Sequence, residues 1–517
     1  MLFHSETFLF VFLPVTLLFF YVISMTCRTY VVHWLLLASI VFYGWWDVRY
    51  LPLIVGSIVL NFAFGRLLDA APEACKRRLL AIGISLNLLP LIYFKYWNFL
   101  LSNLTSVTGV EIATTMIVLP IGVSFFTFQQ IAYLVDVAKR RTFERGFVPY
   151  ALFVSFFPHL IAGPLVHHRQ IAAQLADLAH LRLRVSNACI GLTIFAVGLF
   201  KKAVLADGIA PYATQVFAAA EAGTPLTFFE AWSGAIAYSL QLYFDFSGYS
   251  DMAIGLARMF NVRLPINFYS PYKATSISDF WRRWHMTLSA FLRDYVYIPL
   301  GGSRVGAGRG SFNLMATMLL GGLWHGASWT FVVWGGLHGL ALVVQRLWRS
   351  AFPADDPGRM RRTLGWLATL TFVVACWVPF RAESFAATLH VWIAMAGGGG
   401  ISLPVFAGAR LGADAREALS TVGIRFTGIH GTVLDIVQAA PWIVAGGVIA
   451  LLMPNIQQVM SRLRPTSDWR QWAPVGRLPR WARWRPSAAW AIACGVMACI
   501  AIFTVRRGTA QFLYYNF

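Results

Sequence analysis

The stretch "GGLWHGASW", residues 321–329, sets His325 between a tryptophan and a glycine. It lies inside "FNLMATMLLGGLWHGASWTFVVWGGLHGLALVV", which carries no Asp, Glu, Lys or Arg from Phe312 to Val344. Ionisable groups inside a bilayer are costly, so they rank as functional candidates. Apolar surroundings favour the neutral imidazole, the form that acts as a general base. Trp324 and Trp329 are placed to wall a cavity and exclude water. Gly322 and Gly326, like Gly335 and Gly339, are four residues apart, a spacing that lets helix or substrate approach the backbone. The structural alternative is an imidazole that donates to a carbonyl of a neighbouring helix.

A second constellation is "SISDFWRRWHMTLSAFLRDYV", with His285 beside Arg282 and Arg283. Two guanidinium groups can hold phosphate by bidentate hydrogen bonds. A histidine next to a phosphate site points to a donor such as a coenzyme A or phosphopantetheine thioester. The alternative is an interfacial helix whose arginines snorkel. Periodicity predicts one amphipathic helix, capped by Ser278, with Trp281, Trp284, Leu288 and Leu292 along one face. Such a helix suits the membrane interface or a vestibule.

Weaker candidates surround these two. In "FFPHLIAGP", His159 lies in an apolar run that Pro158 and Pro164 are expected to break, where it reads as a structural partner. His167 and His168 resemble the start of an HHxxxD acyltransferase motif, but Ala172 stands where Asp is required, so that motif is absent. His338 in "GLHG" reads as packing or polar lining. Asp245 and Asp251, in "FDFSGYSDMAIG", fall at the expected end of a span, either as a cation site or, preferably, as partners of the arginines on the next helix. No HExxH, GxSxG, Walker A or dinucleotide fingerprint occurs, which removes most soluble-enzyme readings.

The elements that must position these residues are membrane helices. The 517 residues are 58% hydrophobic and only 12% charged, about half the charged fraction of soluble domains. Apolar stretches near the length of a span recur along the chain. Expected spans are 6–26, 30–47, 51–69, 79–97, 117–138, 149–166, 187–206, 228–246, 312–326, 328–347, 364–381, 385–397, 440–455 and 487–505, some of them broken or re-entrant. The first stretch lacks a basic flank and a cleavage site, so it reads as a retained span. The fold class is therefore all-α: one polytopic membrane domain, 1–517, of roughly 11–14 membrane helices.

Net charge is +20, and the basic residues cluster between apolar spans. The positive-inside rule accounts for most of this excess without nucleic acid. "CKRR" (75–78), "KRRTFER" (139–145), 345–362 and 461–485 are assigned to the cytoplasm, and both termini to the outside. Arg506 and Arg507 are exceptions to that rule. The six scattered cysteines form no CxxC pair, so neither a disulfide framework nor a zinc site is expected.

These pieces together resemble the membrane-bound O-acyltransferase family, in its bacterial polysaccharide-acetylating branch. The resemblance is carried by "FYGWWDVRYLPLI", "YFKYWNF", "LPIGVSFFTFQQIAYLVDV", "FFPHLIAGPLV", "YFDFSGYSDMAIGLARMF", "INFYSPYKATSISDFWRRWHMTLSAFLRDYVYIPLGGSR", "MLLGGLWHGASWTFVVWGGLHG" and the tail "FLYYNF". It covers residues 1 to about 347 and recurs at the end, while 350–485 are less typical. The combination "FWRRWHMTLS" with "GLWHGASW" is the specific part.

The resemblance implies a many-helix body around an hourglass-like tunnel, with the family's active-site histidine at His325 and its second characteristic histidine at His285. Arg282, Arg283, Trp281, Trp324, Asp245 and Asn267 become candidates for binding the donor or lining the tunnel. It implies no bound cofactor or metal, and acetyl-CoA or another acyl thioester as cytoplasmic donor. An extracytoplasmic partner protein and a polysaccharide such as alginate or cellulose would receive the acyl group at the inner membrane. Peptidoglycan and teichoic acid remain alternative acceptors. A transporter or a scaffold would also show broken helices and intramembrane polar groups, but would tolerate replacement of His325.

Overall fold

The computed structural model describes residues 1–176, 184–353, 358–403, 405–421, 423–426, 433–472, 478–479, 482–507 and 513. The aromatic tail lies outside the described residues apart from Leu513, and so does the sequence-based placement of the C-terminus. The regular secondary structure of the described residues is helical except for a two-residue parallel pairing of Ile401–Ser402 with Ile424–Arg425. Among the described residues, seven helices are long and apolar enough to cross a membrane by length and composition: Phe8–Thr26, Val48–Ala70, Glu73–Thr108, Val185–Glu221, Trp329–Ala351, Arg359–Arg381 and Ala488–Arg506. The shorter apolar helices Val123–Ala138, Phe385–Met395 and Ile436–Leu451 fall where spans are expected.

A central helix, Phe228–Met259, organises the body. Its start is fixed by a capping box. The Glu230 carboxylate accepts from Thr227 N at 2.9 Å, and Thr227 Oγ1 accepts from Glu230 N at 3.4 Å. From Ala237 to Met259 every residue is buried, so this is a core helix rather than an amphipathic one. It runs well past the expected limit of residue 246 because Asp245 and Asp251 have partners inside the body. They are therefore interior positions, not the end of a span.

Glycines let the neighbouring helix Val185–Glu221 come close. Gly191 faces Gly255 and Gly198 faces Gly248, seven residues apart on each helix. A Cβ on Gly191 would stand 2.5 Å from Gly255 O, and one on Gly198 2.6 Å from Gly248 O. This is small-residue packing of the kind membrane helices use when lipid supplies no hydrophobic drive.

Two ends of the bundle can be told apart. Tyr21 donates to Met259 O at 2.6 Å, so the end of the central helix sits beside the end of the first helix, next to Arg28. Arg506 pairs with Glu6 at 3.0 Å at the opposite end.

The predicted amphipathic helix is two short helices, Ile277–Arg283 and Met286–Leu292. Trp284 is extended, and His285 adopts φ 41°, ψ 53°, in the left-handed region. The cap is Ser276, whose side chain accepts from Asp279 N; Ser278 instead binds Gln345 Oε1 at 2.9 Å. Trp281, Trp284, Leu288 and Leu292 are all buried, so the segment is wedged into the body rather than laid on its surface. The break expected at Pro158 is present, separating Phe147–Ser155 from Phe157–Leu160.

Candidate functional site

"WHGAS" is a helix stop followed by a helix start. The helix Ala307–His325 ends as Gly326 turns extended, and Ser328 caps Trp329–Ala351 by accepting from Thr330 N at 3.3 Å. The two helices touch at Gly322 and Gly335, where a Cβ on either would meet the other's Cα at 3.1–3.2 Å. His325 is thereby the last residue of a helix held inside the body, only 4% exposed. Its ring is enclosed by Trp324 at 4.9 Å, Trp334 at 5.1 Å and Phe380 at 5.2 Å between centroids.

The carbonyls at that helix end are taken up by a π-helical turn, Ile92–Tyr96. Tyr96 donates to Leu323 O at 2.8 Å, and Lys95 Nζ donates to Trp324 O at 2.5 Å and to His325 O at 3.1 Å. The last carbonyls of a helix are otherwise unsatisfied, and a cation there also meets the negative end of the helix dipole. Extra turns of this kind often sit at functional sites. The stretch "YFKYWNF" carries part of the family resemblance, but its sequence alone gives Lys95 and Tyr96 no role. The signal available was a lysine in the interior of an apolar span.

His285 lies 6.3 Å from His325 between ring centroids. Its left-handed backbone is sustained by Asn267, whose O accepts from Met286 N at 2.9 Å. Asn267 also fixes the imidazole. Thr287 Oγ1 accepts from Leu165 N at 3.0 Å, so its hydroxyl hydrogen goes to Asn267 Oδ1 at 2.9 Å. Asn267 Nδ2 in turn donates to Ser250 Oγ at 3.1 Å. Oδ1 is therefore an acceptor, and His285 Nδ1, 3.1 Å away, carries the proton given to it. That leaves the lone pair on Nε2. Phe246 stands edge-on to the ring at 4.7 Å, and Trp324 lies 5.9 Å away.

The remaining sequence candidates fall in different places. Trp324 is built into the site, between His285 and the rings of Phe125 and Phe128. Trp281 serves a neighbouring histidine, its Nε1 3.3 Å from His338 Nδ1, and Trp334 contacts both His325 and His338. Successive helical residues point about 100° apart, and the two arginines diverge accordingly. Arg283 pairs with Asp279 at 3.0 Å and lies over the Tyr269 ring, while Arg282 is exposed. The expected two-arginine clamp is not assembled beside His285.

Asp245 is not part of the histidine pair. It meets Lys202 Nζ at 2.7 Å, and Asp251 meets Lys201 Nζ at 2.6 Å; Lys202 also pairs with Asp207 at 2.7 Å. Scaffold pairing was the preferred expectation, but the partners are lysines of the preceding helix rather than arginines of the next. The sequence signal missed was "FKKAVLAD", two lysines within an apolar run. His159 is buried at the helix break. His167 and His168 bind Tyr295 at 3.0 Å and Thr142 at 2.7 Å, away from the site.

Among the described residues no three His, Cys, Asp or Glu side chains gather as a metal-holding group. What the arrangement offers is two imidazoles in a largely apolar, aromatic enclosure, one of defined tautomer and one at a clamped helix end. That suits proton transfer to and from a hydroxyl or thiol where water is scarce.

Comparison with known proteins bears on this geometry. A family model described as the membrane-bound O-acyltransferase family matches residues 144–378, a range that holds both histidines. The chain is 44% identical over 450 residues to the peptidoglycan O-acetyltransferase of Helicobacter pylori, covering 82% of this chain and 84% of that one. It is 42% identical over 402 residues to the probable alginate O-acetylase of Pseudomonas aeruginosa, covering 76% of this chain and 75% of that one. With the teichoic acid D-alanyltransferase of Bacillus subtilis it shares 24% over 321 residues, or 58% of this chain and 76% of that one.

Proposed function

Because the chain belongs to the membrane-bound O-acyltransferase family, we propose that it moves an acetyl group from a cytoplasmic thioester to a hydroxyl acceptor on the outer side of the membrane, for O-acetylation of a polysaccharide. The observation that carries the reading is the His325–His285 pair, 6.3 Å apart, with Trp324, Trp334, Phe246 and Phe380 around it.

A ring nitrogen of His325 takes the proton from the acceptor hydroxyl as its oxygen attacks the thioester carbonyl. The tetrahedral intermediate collapses, the C–S bond breaks, and the departing thiolate takes that proton from the imidazolium. An oxygen ester and a thiol result, with no net proton change. His285, whose Nε2 holds its lone pair, accepts a hydrogen bond from a second donor group of the acceptor, not the reacting hydroxyl, and so orients it. The aromatic walls keep water, a competing nucleophile, from the thioester.

Acetyl-CoA or another acyl thioester is the donor. The acceptor side faces outward, and a separate extracytoplasmic partner carries the ester to the polymer. The positive-inside rule supports this orientation in the cytoplasmic membrane, with the amino terminus outside. An exopolysaccharide such as alginate is one acceptor. Peptidoglycan is the second reading, supported by the 450-residue likeness to a peptidoglycan O-acetyltransferase.

The deciding experiment replaces His325 with Ala in the native producer at matched membrane abundance. Base-labile acetyl ester is then quantified on each secreted and cell-wall polysaccharide. Loss from one polymer supports the reading and identifies the acceptor. Unchanged ester, where deletion of the gene removes it, overturns the role of His325.

A further inference from the structure

Four arginines converge where the central helix ends, and none has a carboxylate partner among the described residues. Arg258 lies in its last turn, Arg263 follows, Arg184 precedes the helix Val185–Glu221, and Arg464 belongs to the basic segment after residue 461. Specific contacts hold them together. Asn187 Nδ2 donates to Asn261 Oδ1 at 2.7 Å, binding the start of one helix to the loop between Arg258 and Arg263. Gln174 clasps the backbone of Arg263, accepting from its N at 2.8 Å and donating to its O at 3.0 Å. Arg258 Nη2 reaches Leu463 O at 3.4 Å, next to Arg464. Arg258 interacts electrostatically with Arg263 and Arg184, and Arg263 with Arg464 and Arg184; every one of these charges is positive.

Arg258 is the informative member. It is 3% exposed, yet its Nε and Nη1 have no hydrogen-bond partner. A buried guanidinium with idle donors, ringed by like charge, is unfavourable unless an anion completes it. Asp468, four residues past Arg464, accepts from Ile266 N at 3.0 Å, and Asp251, seven residues before Arg258, pairs with Lys201. Arg184 and Arg464 are exposed and Arg263 partly so, which gives a buried floor and an open rim.

We propose that Arg258, Arg263, Arg184 and Arg464 form an organophosphate-binding site that receives the phosphates of the thioester donor. Planar guanidinium forks match phosphate oxygens bidentately. The placement suits a donor: Phe246, against the ring of His285, precedes Arg258 by twelve residues on one continuous helix, roughly 18 Å of rise. That is about the reach of a phosphopantetheine arm, so phosphates held here would leave the thioester at the histidines. The site lies at the end of the bundle next to Arg28 and includes Arg464 of the basic segment 461–485, which the positive-inside rule assigns to the cytoplasm. The donor assignment rests on the acyl-transfer reading. The phosphate of an anionic lipid headgroup is the other source of the same chemistry.

The test uses the full chain in phosphatidylcholine nanodiscs, titrated with coenzyme A by calorimetry, with pantetheine and adenosine 3′,5′-bisphosphate as competitors. The expected result is binding that the bisphosphate competes and pantetheine does not. Arg263→Gln, at a partly exposed position, should weaken it roughly tenfold, the loss of one charge-assisted bond. Arg258→Lys, which keeps the buried charge but loses the fork, should weaken it as well. Equal affinity in wild type and both variants, or full competition by pantetheine, overturns the arginines as the donor's phosphate site.

A further arm adds phosphatidylglycerol. If lipid binding depends on Arg258 and Arg263 while coenzyme A binding does not, the headgroup is the ligand and the donor assignment falls. His325→Ala separates the two readings. It should bind coenzyme A as wild type does while transferring nothing. Arginine-dependent binding in a wild-type protein that transfers from no acyl thioester would sink the donor reading and leave the phosphate site standing.

Discussion

Lys95 Nζ donates to the backbone oxygen of His325 at 3.1 Å, across 230 residues of sequence. The same ammonium holds Trp324 O, and no carboxylate pairs with it among the described residues. A cation inside the body is thus spent on the end of one helix, the end that carries the candidate base.

Lys95→Met should lower the transfer rate by about 10- to 100-fold, because hydrogen bonds to a charged group contribute about 1.5–3 kcal/mol. The fall should appear in kcat more than in the donor KM, and Lys95→Arg should recover part of it. Steady-state kinetics on purified protein checks this. A protein with wild-type kcat after Lys95→Met would show that the helix end holds without the lysine.

His325→Gln keeps size and polarity but cannot take a proton at neutral pH. Transfer should fall by about a hundred- to ten-thousandfold, the usual worth of a general base. Thermal stability in detergent should stay close to wild type, since the aromatic enclosure remains. Partial transport-like function with intact ester formation would contradict the chemistry assigned here.

Asn267→Leu removes the acceptor that sets the His285 tautomer and leaves the Thr287 hydroxyl without that partner. Transfer should drop about tenfold or more, with Asn267→Asp retaining more activity because a carboxylate oxygen still accepts. Nitrogen-15 NMR of labelled histidine would report the tautomer directly. An unchanged His285 signal in the leucine variant would remove Asn267 from this role.

Asp251 and Lys201 test the buried ion pairs. Lys201→Met alone leaves Asp251, among the described residues, with the amide of Gln457 at 3.4 Å, and breaking a buried pair typically costs about 3–5 kcal/mol. The double variant Lys201→Met with Asp251→Asn should regain most of the lost stability. Melting of the purified proteins in detergent measures both. Additive losses in the double variant would mean the two charges do not stabilise one another.

Gly255→Ala should destabilise by about 1–3 kcal/mol, because its new methyl would meet the backbone of Gly191 and Phe195. Gly447→Ala, with nothing within 4 Å of its Cβ, is the matched control and should be neutral. Equal melting temperatures for the two variants would argue against close packing of these helices.

The sequence by itself determined the helical membrane body, the position of most spans and the family, and it singled out the two histidines that the fold sets 6.3 Å apart. These features are local: hydropathy is read within one window, and "WHGAS" contains its own helix stop and cap. It did not reveal the break at Trp284–His285, because the apolar spacing continues through it, while the left-handed turn is held by contacts with Asn267, eighteen residues earlier. The partners of Asp245 and Asp251 were misassigned for a related reason. An acid in an apolar run shows that it must be paired, but which helix supplies the cation depends on how Gly191 and Gly198 let Lys201 and Lys202 approach. Lys95 under His325 and the gathering of Arg184, Arg258, Arg263 and Arg464 were decided by the tertiary structure alone. Each joins segments between 5 and 280 residues apart, and the contacts that fix them, Lys95 on the helix end and Asn187 and Gln174 beside the arginines, exist only once the helices have packed.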